Sequence, residues 1–563
     1  MSAEEDRPGL GPAATLDRFL GDPDEPAGLF SYARAMECDE GERFPSEAAE
    51  ALGRWGLNAY FVPPALGGKL PPFDEALSMM RVLSRRDPTL AIAFGQCFLA
   101  AMPVWLSGGS DLQRRVASML VAGRPMALAL TERAHGGDLA ATEVSARAEL
   151  GCYRLTGEKW LINNATRGAA LTVLARTDSS GGPRAFSLFF FEKDRAEHGT
   201  FSHHPKVRTL GIRAADISGV RFEGARVDAQ GLVGALGDGI ETTLKALMVT
   251  RALCPAFSLG AADSALRLTV RFARSRRLYG GTVWDIPASR AALVGAFVDL
   301  RVCETLALAT ARALHVVPEQ ASIWSAVAKY YVPTAIEATM NALGTVLGAR
   351  YYLREEVSSG VFQKLLRDAM VVGLFDGSTS VNLHAIGLQL HALSTMRPRT
   401  EVDTRRDARL EALVDAEVPL PPPDFARLSL LARGRNDAVQ ALESAIDASP
   451  RTPCAPDARD FVQGAMRRLL AVLKRDEDAV AALPRATGRG SAELFALSSR
   501  YCAIHAAAVC AQAWLRGGRW GGDEWAALGL DRVCRSLDPA WSAAPPRFAE
   551  AVAEQLLAHT GCA

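Results

Sequence analysis

Four things are missing from this 563-residue sequence, and each absence excludes a class of protein. The first is an excess of charge: 63 Lys and Arg balance 63 Asp and Glu, with an isoelectric point near 7.1. No global field therefore draws the chain toward nucleic acid or an anionic membrane, and no nucleic-acid partner is expected. The second is cysteine spacing: the ten Cys form no C-x-x-C pair, so neither a disulfide scaffold nor a bound metal is expected. The third is a long apolar stretch. No uninterrupted run reaches the ~18 residues that cross a bilayer, so no transmembrane segment is expected. The start, MSAEEDRPGLGP, is acidic with no apolar stretch behind a basic one, unlike a signal peptide. The fourth is the common catalytic and nucleotide motifs: no G-x-x-x-x-G-K-[ST], no G-x-G-x-x-G between strand and helix, no G-x-S-x-G, no H-E-x-x-H. A cytoplasmic, reduced, multidomain protein is what these absences leave.

The residues that are present fall into four blocks, in line with ~100–200 residues per domain. Residues 1–124 read as a disordered acidic start followed by a helical domain, with apolar residues at three- and four-residue spacing in DEALSMMRVLSRRD. Residues 125–236 switch to period two. Met126–Leu130, Val144–Glu149, Leu171–Ala175 and Phe186–Phe191 read as strands, and Glu149–Tyr153 as a hairpin turn. His203-His204, beside Pro205, read as a solvated loop rather than metal ligands. Residues 237–396 return to helical periodicity, with one long helix over Gly239–Arg277 kinked at Pro255 and two more over Ala291–His315 and Ser322–Gly348. Residues 397–563 comprise a semi-rigid linker, Val418–Pro423, and a further helical domain in which GGRWGGDEW reads as a surface loop. The fold class is α+β and mostly α.

Six short motifs then recur in a fixed order: Leu130–Asp138 (LTERAHGGD), Gly157–Asn164 (GEKWLINN), Leu210–Arg213, Arg276–Gly280 (RRLYG), Leu347–Tyr351 and Arg367–Ala369 with Phe375–Ser378 (FDGS). Together they resemble the acyl-CoA dehydrogenase family, whose members carry T-E-P-x-A-G-S-D and then G-x-K-x-W-I-T-N. The resemblance covers roughly residues 20–395. It implies an N-terminal helical domain, a middle β-barrel-like domain and a C-terminal four-helix bundle, to which this chain adds an extra helical domain.

The resemblance also implies FAD and a set of residues around it. Leu130 and Thr131 end a strand where backbone groups are free to meet a ligand, and Gly136-Gly137 permit close approach and positive φ. Leu161 and Asn163 hold the family's aromatic and hydroxyl positions near the flavin ring, the aromatic having moved to Trp160. Arg276 and Tyr279 match residues that reach the cofactor of a neighbouring subunit, which implies a homodimer or homotetramer. Thr345 and Gly348 fall in the adenine-side stretch, and Ser378 is placed to bond the flavin or its phosphates. Asp376 stands where the family carries the Glu that removes the α-proton of an acyl thioester, with Gly377 and Arg251 beside the substrate and Phe375 and Leu374 as an apolar wall. One methylene shorter than Glu, Asp leaves its oxygens about 1.5 Å back. The alternative family position for the base is Thr250, which is no base at neutral pH.

The activity implied is α,β-dehydrogenation of an acyl-CoA or acyl-carrier-protein thioester, with electron-transfer flavoprotein or O2 as acceptor. An acyl-CoA oxidase, a flavin monooxygenase on the same scaffold and a non-catalytic binding member are the alternatives. Residues 401–563, with 20 Lys and Arg against 22 Asp and Glu, do not favour nucleic acid.

Overall fold

A computed structural model describes residues 11–395, 404–484, 491–517 and 523–562. The start up to residue 10, where disorder is expected from the sequence, the 396–397 boundary and the centre of the GGRWGGDEW run lie outside the described residues. The chain forms two compact units, one from Met1–Pro71 with Ser78–Thr250 and one from Pro72–Leu77 with Arg251–Ala563.

The first unit begins with helices α1 (Pro12–Leu20), α2 (Tyr32–Glu40), α3 (Ser46–Trp55), α4 (Phe73–Arg86, its first residues belonging to the second unit), α5 (Pro88–Ser107) and α6 (Ser110–Val121). Asp87 accepts from Thr89 N–H and Pro88 follows at the first helical position, a combination that starts α5 sharply. Eight strands follow: β1 (Met126–Ala129), β2 (Ser145–Glu149), β3 (Cys152–Asn163), β4 (Ala170–Arg176), β5 (Phe186–Glu192), β6 (Phe201–His204), β7 (Ile217–Asp228) and β8 (Leu232–Val233). They form one sheet in the order β6-β7-β3-β2-β4-β5-β8, with β1 parallel to β4. Glu149 pairs with Cys152, so Leu150-Gly151 is a two-residue hairpin loop, and Gly151 supplies its positive φ of 74°. Phe191 anchors the core, its ring meeting Phe201 and Phe222 edge-on at 5.3 and 5.2 Å.

Two expectations change here. His203-His204 lie in strand β6, paired with Val220 and Gly219 of β7, rather than in a loop. Phe201 drives this, because its ring enters the phenylalanine cluster and carries the following residues into register. The other change concerns apolar length. Three helical stretches, Pro88–Ser107, Gly239–Ser275 and Ala492–Leu515, are long and apolar enough to span a bilayer, although no uninterrupted run is. Between 78% and 89% of each apolar window is buried inside the protein, so core packing uses that character.

The helix α7 (Gly239–Leu253) breaks at Cys254, and Pro255 opens α8 (Pro255–Ser275), which is the kink the sequence suggests. A hairpin of β9 (Arg277–Leu278) and β10 (Gly281–Thr282) leads to α9 (Pro287–Val316), α10 (Ala321–Leu347), α11 (Glu356–Ala369) and α12 (Thr379–Thr395). Helices α8, α9 and α10 pack side by side, and α12 lies on α10. The extra block adds α13 (Thr404–Val414), α14 (Asp437–Gln440), α15 (Leu442–Ala448), α16 (Pro456–Ala482), α17 (Ala492–Leu515), α18 (Glu524–Leu537) and α19 (Pro546–Thr560). It is packed on the bundle within the same unit: α17 lies against α9, α10 and α12. Buried His505 of α17 meets Trp324 of α10 edge-to-face at 4.5 Å. The proline linker is latched to α9, where Arg312 donates to Ala412 and Val418 carbonyls and His315 Nδ1 lies 2.8 Å from the Pro421 carbonyl.

Candidate active site

In the second unit, four elements converge on the loop Phe375–Ser378. Asp376 takes φ 55° and Gly377 φ 91°, two successive left-handed residues that turn the chain between Leu374 and α12. Asp tolerates this region better than most side chains; at the next position the need is for glycine itself. A Cβ on Gly377 would stand 2.7 Å from an Arg251 guanidinium nitrogen.

Three side chains hold this loop by its backbone. Arg251 Nε donates to the Asp376 carbonyl at 2.7 Å. Lys329, fully buried on α10, donates to the carbonyls of Val372 (2.5 Å), Phe375 (2.8 Å) and Gly377 (3.2 Å). Asn382 Nδ2 donates to the carbonyls of Gly377 and Ser378, both at 2.9 Å. Burial pushes the Lys329 ammonium below its ordinary range, while Cys254 and Asp376 act in the opposite sense. Arg251 is likewise lowered by burial and raised by Asp376.

The Asp376 carboxylate itself meets a thiol. Cys254 Sγ lies 3.3 Å from Asp376 Oδ2, and the thiol is held well above its ordinary pKa, first by burial and then by the Asp376 charge. It therefore stays protonated and donates. Arg251 and Cys254 are three residues apart, so both fall on one helix face. Phe375 is partly buried, 5.3 Å from the Lys329 ammonium and 6.2 Å from the Phe257 ring. Leu374 is 69% exposed, so it forms no wall; Phe257 is the ring that stands with Phe375. Cys254, Phe257, Lys329 and Asn382 escaped the sequence reading. A lone Lys in the apolar run Ser322–Val332 and a Cys at the helix-breaking Pro255 were the available signals.

In the first unit, the expected cofactor residues gather at one end of β3. Trp160 N–H donates to the Thr131 carbonyl at 2.9 Å, and Lys159 Nζ to the Leu130 carbonyl at 2.8 Å, tying the Leu130–Asp138 loop to the strand. Lys159 also pairs with Glu132 at 2.8 Å inside the protein. Burial lowers the Lys159 pKa to about 8, against the pull of Glu132. Leu161 sits at a register break between Trp160 and Ile162, with φ 55° and 41% exposure, so this β-bulge turns it out of the ladder. Asn163 follows, and both Nδ2 and Oδ1 of its amide are buried with no hydrogen-bond partner.

Gly136 and Gly137 do not adopt positive φ, contrary to expectation. The loop turns through mutual Glu132–His135 backbone bonds, and Glu132 accepts from the Glu143 and Val144 N–H groups, so no left-handed glycine is required. Glu132, His135 and Glu143 bring ligand atoms together, yet the Glu132 carboxylate already accepts from Lys159 and two amides. Ser378 caps α12, accepting from Val381 N–H at 3.4 Å. Arg276 and Tyr279 are exposed at the end of α8, Tyr279 at 96% on a hairpin tip with φ 53°. Thr345 and Gly348 are exposed at the end of α10.

Residues 127–225 match the family model of the acyl-CoA dehydrogenase middle domain, and residues 237–391 that of the acyl-CoA dehydrogenase C-terminal domain. This chain carries the middle and C-terminal domains of that family. A Mycobacterium tuberculosis protein named "Probable acyl-CoA dehydrogenase" is 29% identical over 349 residues, 62% of this chain and 88% of that one. A cyclohex-1-ene-1-carbonyl-CoA dehydrogenase of Geobacter metallireducens is 26% identical over 63% of this chain and 93% of its own length. Among solved structures, butyryl-CoA dehydrogenase of Megasphaera elsdenii superimposes with TM-score 0.61 at 20% identity, covering 67% of this chain and 98% of that one. The prolyl acyl carrier protein oxidase AnaB gives TM-score 0.56 at 19% identity, covering 62% and 95%. These relatives leave over a third of this chain uncovered.

Proposed function

We propose that this chain is an FAD-dependent enzyme that introduces an α,β double bond into an acyl thioester, with Asp376 as the base. The observation that carries this reading is the Asp376 loop, pinned through its backbone by Arg251, Lys329 and Asn382 so that one carboxylate is presented in a fixed place. Such fixing of a base matters because a displacement near 1 Å can cost ~100-fold in rate. FAD suits the residues of the first unit: the orphaned Asn163 amide offers a buried donor and acceptor to a polar ring edge, Leu161 lies on the same strand end, and the Thr131 loop is tied to that strand through Trp160 N–H. When bound, FAD supplies the acceptor for the hydride leaving the β-carbon. The protein's own part is to take the α-proton on the Asp376 carboxylate. Backbone N–H groups near the turn then stabilise the enolate-like charge.

The carrier is CoA or an acyl-carrier protein, the latter suggested by the likeness to the prolyl acyl carrier protein oxidase. Electron-transfer flavoprotein or O2 completes the cycle, and a cytoplasmic homo-oligomer with Arg276 and Tyr279 at its subunit contacts belongs to the same reading. The test is anaerobic mixing of the flavin-loaded protein with a panel of acyl-CoA and acyl-carrier thioesters. Bleaching of the flavin band and an enoyl product by mass spectrometry are expected, with Asp376→Ala slower by at least ~100-fold. Bleaching by Asp376→Ala at the wild-type rate would remove Asp376 as base.

A further inference from the structure

We infer that Cys254 is a positioning residue for the base: its thiol donates to Asp376 Oδ2, fixes the rotamer of this short carboxylate and directs Oδ1 to the α-proton. The inference rests on the dehydrogenation proposed above. Cys254 is 4% exposed, at the break between α7 and α8, where Pro255 bends the chain and Phe257 N–H bonds back to the Cys254 carbonyl. The kink therefore fixes where the sulfur lies. At 3.3 Å the sulfur–oxygen separation falls within hydrogen-bond range for a thiol.

Arg251 and Lys329 are charged groups beside Asp376, and both donate hydrogen bonds to loop carbonyls: Arg251 to Asp376, Lys329 to Val372, Phe375 and Gly377. They set the field and the backbone. Cys254 touches the carboxylate oxygen itself. A weak donor suits the task, because an ammonium or guanidinium at Oδ2 would oppose protonation of the carboxylate far more strongly. In the step itself the α-C–H bond breaks, an O–H bond forms at Oδ1, and the electron pair stays with the substrate carbon. The thiol keeps its proton throughout.

Two measurements test this. The first needs no substrate. The S–H stretching band of Cys254, isolated as the infrared difference between wild type and Cys254→Ser, is expected at reduced frequency, and it moves up in Asp376→Ala. A band at the same frequency in both proteins overturns the contact, whatever the activity. The second follows flavin bleaching by octanoyl-CoA, or by the thioester of the panel that wild type uses. Cys254→Ala and Cys254→Val are expected to slow bleaching ~10-fold, the low end for losing a hydrogen bond to a charged group. They also move the acidic limb of the kcat/KM profile to higher pH, since the ionised carboxylate has lost a donor. Cys254→Ser, which keeps a donor, is expected within ~3-fold of wild type. Equal rates and limbs in wild type, Ala and Val variants overturn the positioning role. Loss of bleaching in wild type itself, with the infrared shift present, overturns the dehydrogenation instead.

Discussion

Asp376 and Gly377 show how much a single residue's backbone state decides. Both are left-handed, and the glycine has no room for a Cβ beside Arg251. Gly377→Ala is expected to lower stability by roughly 1–3 kcal/mol through strain and crowding, and to slow turnover by moving the Asp376 carbonyl. Thermal unfolding together with kcat checks both effects. Lys329→Met is the sharper case, because the Val372 and Phe375 carbonyls lose their lysine donor while Gly377 keeps Asn382. A loss of several kcal/mol is expected from buried groups costing about 1–3 kcal/mol each, measured by denaturant unfolding. The motif FDGS made Asp376 and Gly377 legible in the sequence. Lys329 and Cys254 were not, because their partners lie 46 and 122 residues away along the chain, beyond any local pattern.

At the scale of elements, strand β3 carries the proposed cofactor contacts of the first unit. Its bulge at Leu161 sets which way Asn163 points, since a one-residue shift reverses every side chain beyond it. Asn163→Leu removes the only buried amide there that lacks a partner among the described residues of β3. Weaker retention of FAD by about 10-fold is expected, read by equilibrium dialysis of the flavin, with the fold unchanged by circular dichroism. Strands β1, β4 and β5 were legible as short apolar runs because both faces of each are buried, while β2 buries only Ala146. Strand β6 was not, since an edge strand of four residues beside a proline shows no alternation, and only pairing with β7 defines it. Helix α10 illustrates the same limit. Pro333 frees the Lys329 carbonyl from its helical partner, yet the helix runs on to Leu347 because packing on α8, α9 and α12 holds it.

The whole molecule responds to pH through two buried histidines that tie the extra block to the bundle. His315 receives Phe73 N–H on Nε2 and faces the Pro421 carbonyl with Nδ1, so the neutral ring serves both partners. His505 lies fully buried against Trp324, with Asn436 on Nδ1. Burial lowers both, His505 to about 3. The unfolded chain binds these protons near pH 6.5 and the folded one does not, so their contribution is full above that value. It is lost as the pH falls below that value, for His505 down to about 3, by up to ~1.4 kcal/mol per unit for each group. Denaturant midpoints measured from pH 7 to 4 are expected to fall in wild type and to flatten in His505→Gln.

By itself the sequence determined the order of helical and strand blocks and the family motifs around Thr131, Asn163 and Asp376. These depend on neighbours close in the chain, where periodicity and motif spacing carry the information. Tertiary structure alone decided that the extra block packs on the α9–α10–α12 bundle in one unit. It also brought Arg251, Cys254, Lys329 and Asn382 to the Asp376 loop. Those contacts join residues far apart in the chain, and they form only when burial makes an unpaired carbonyl or carboxylate costlier than the ordering that satisfies it.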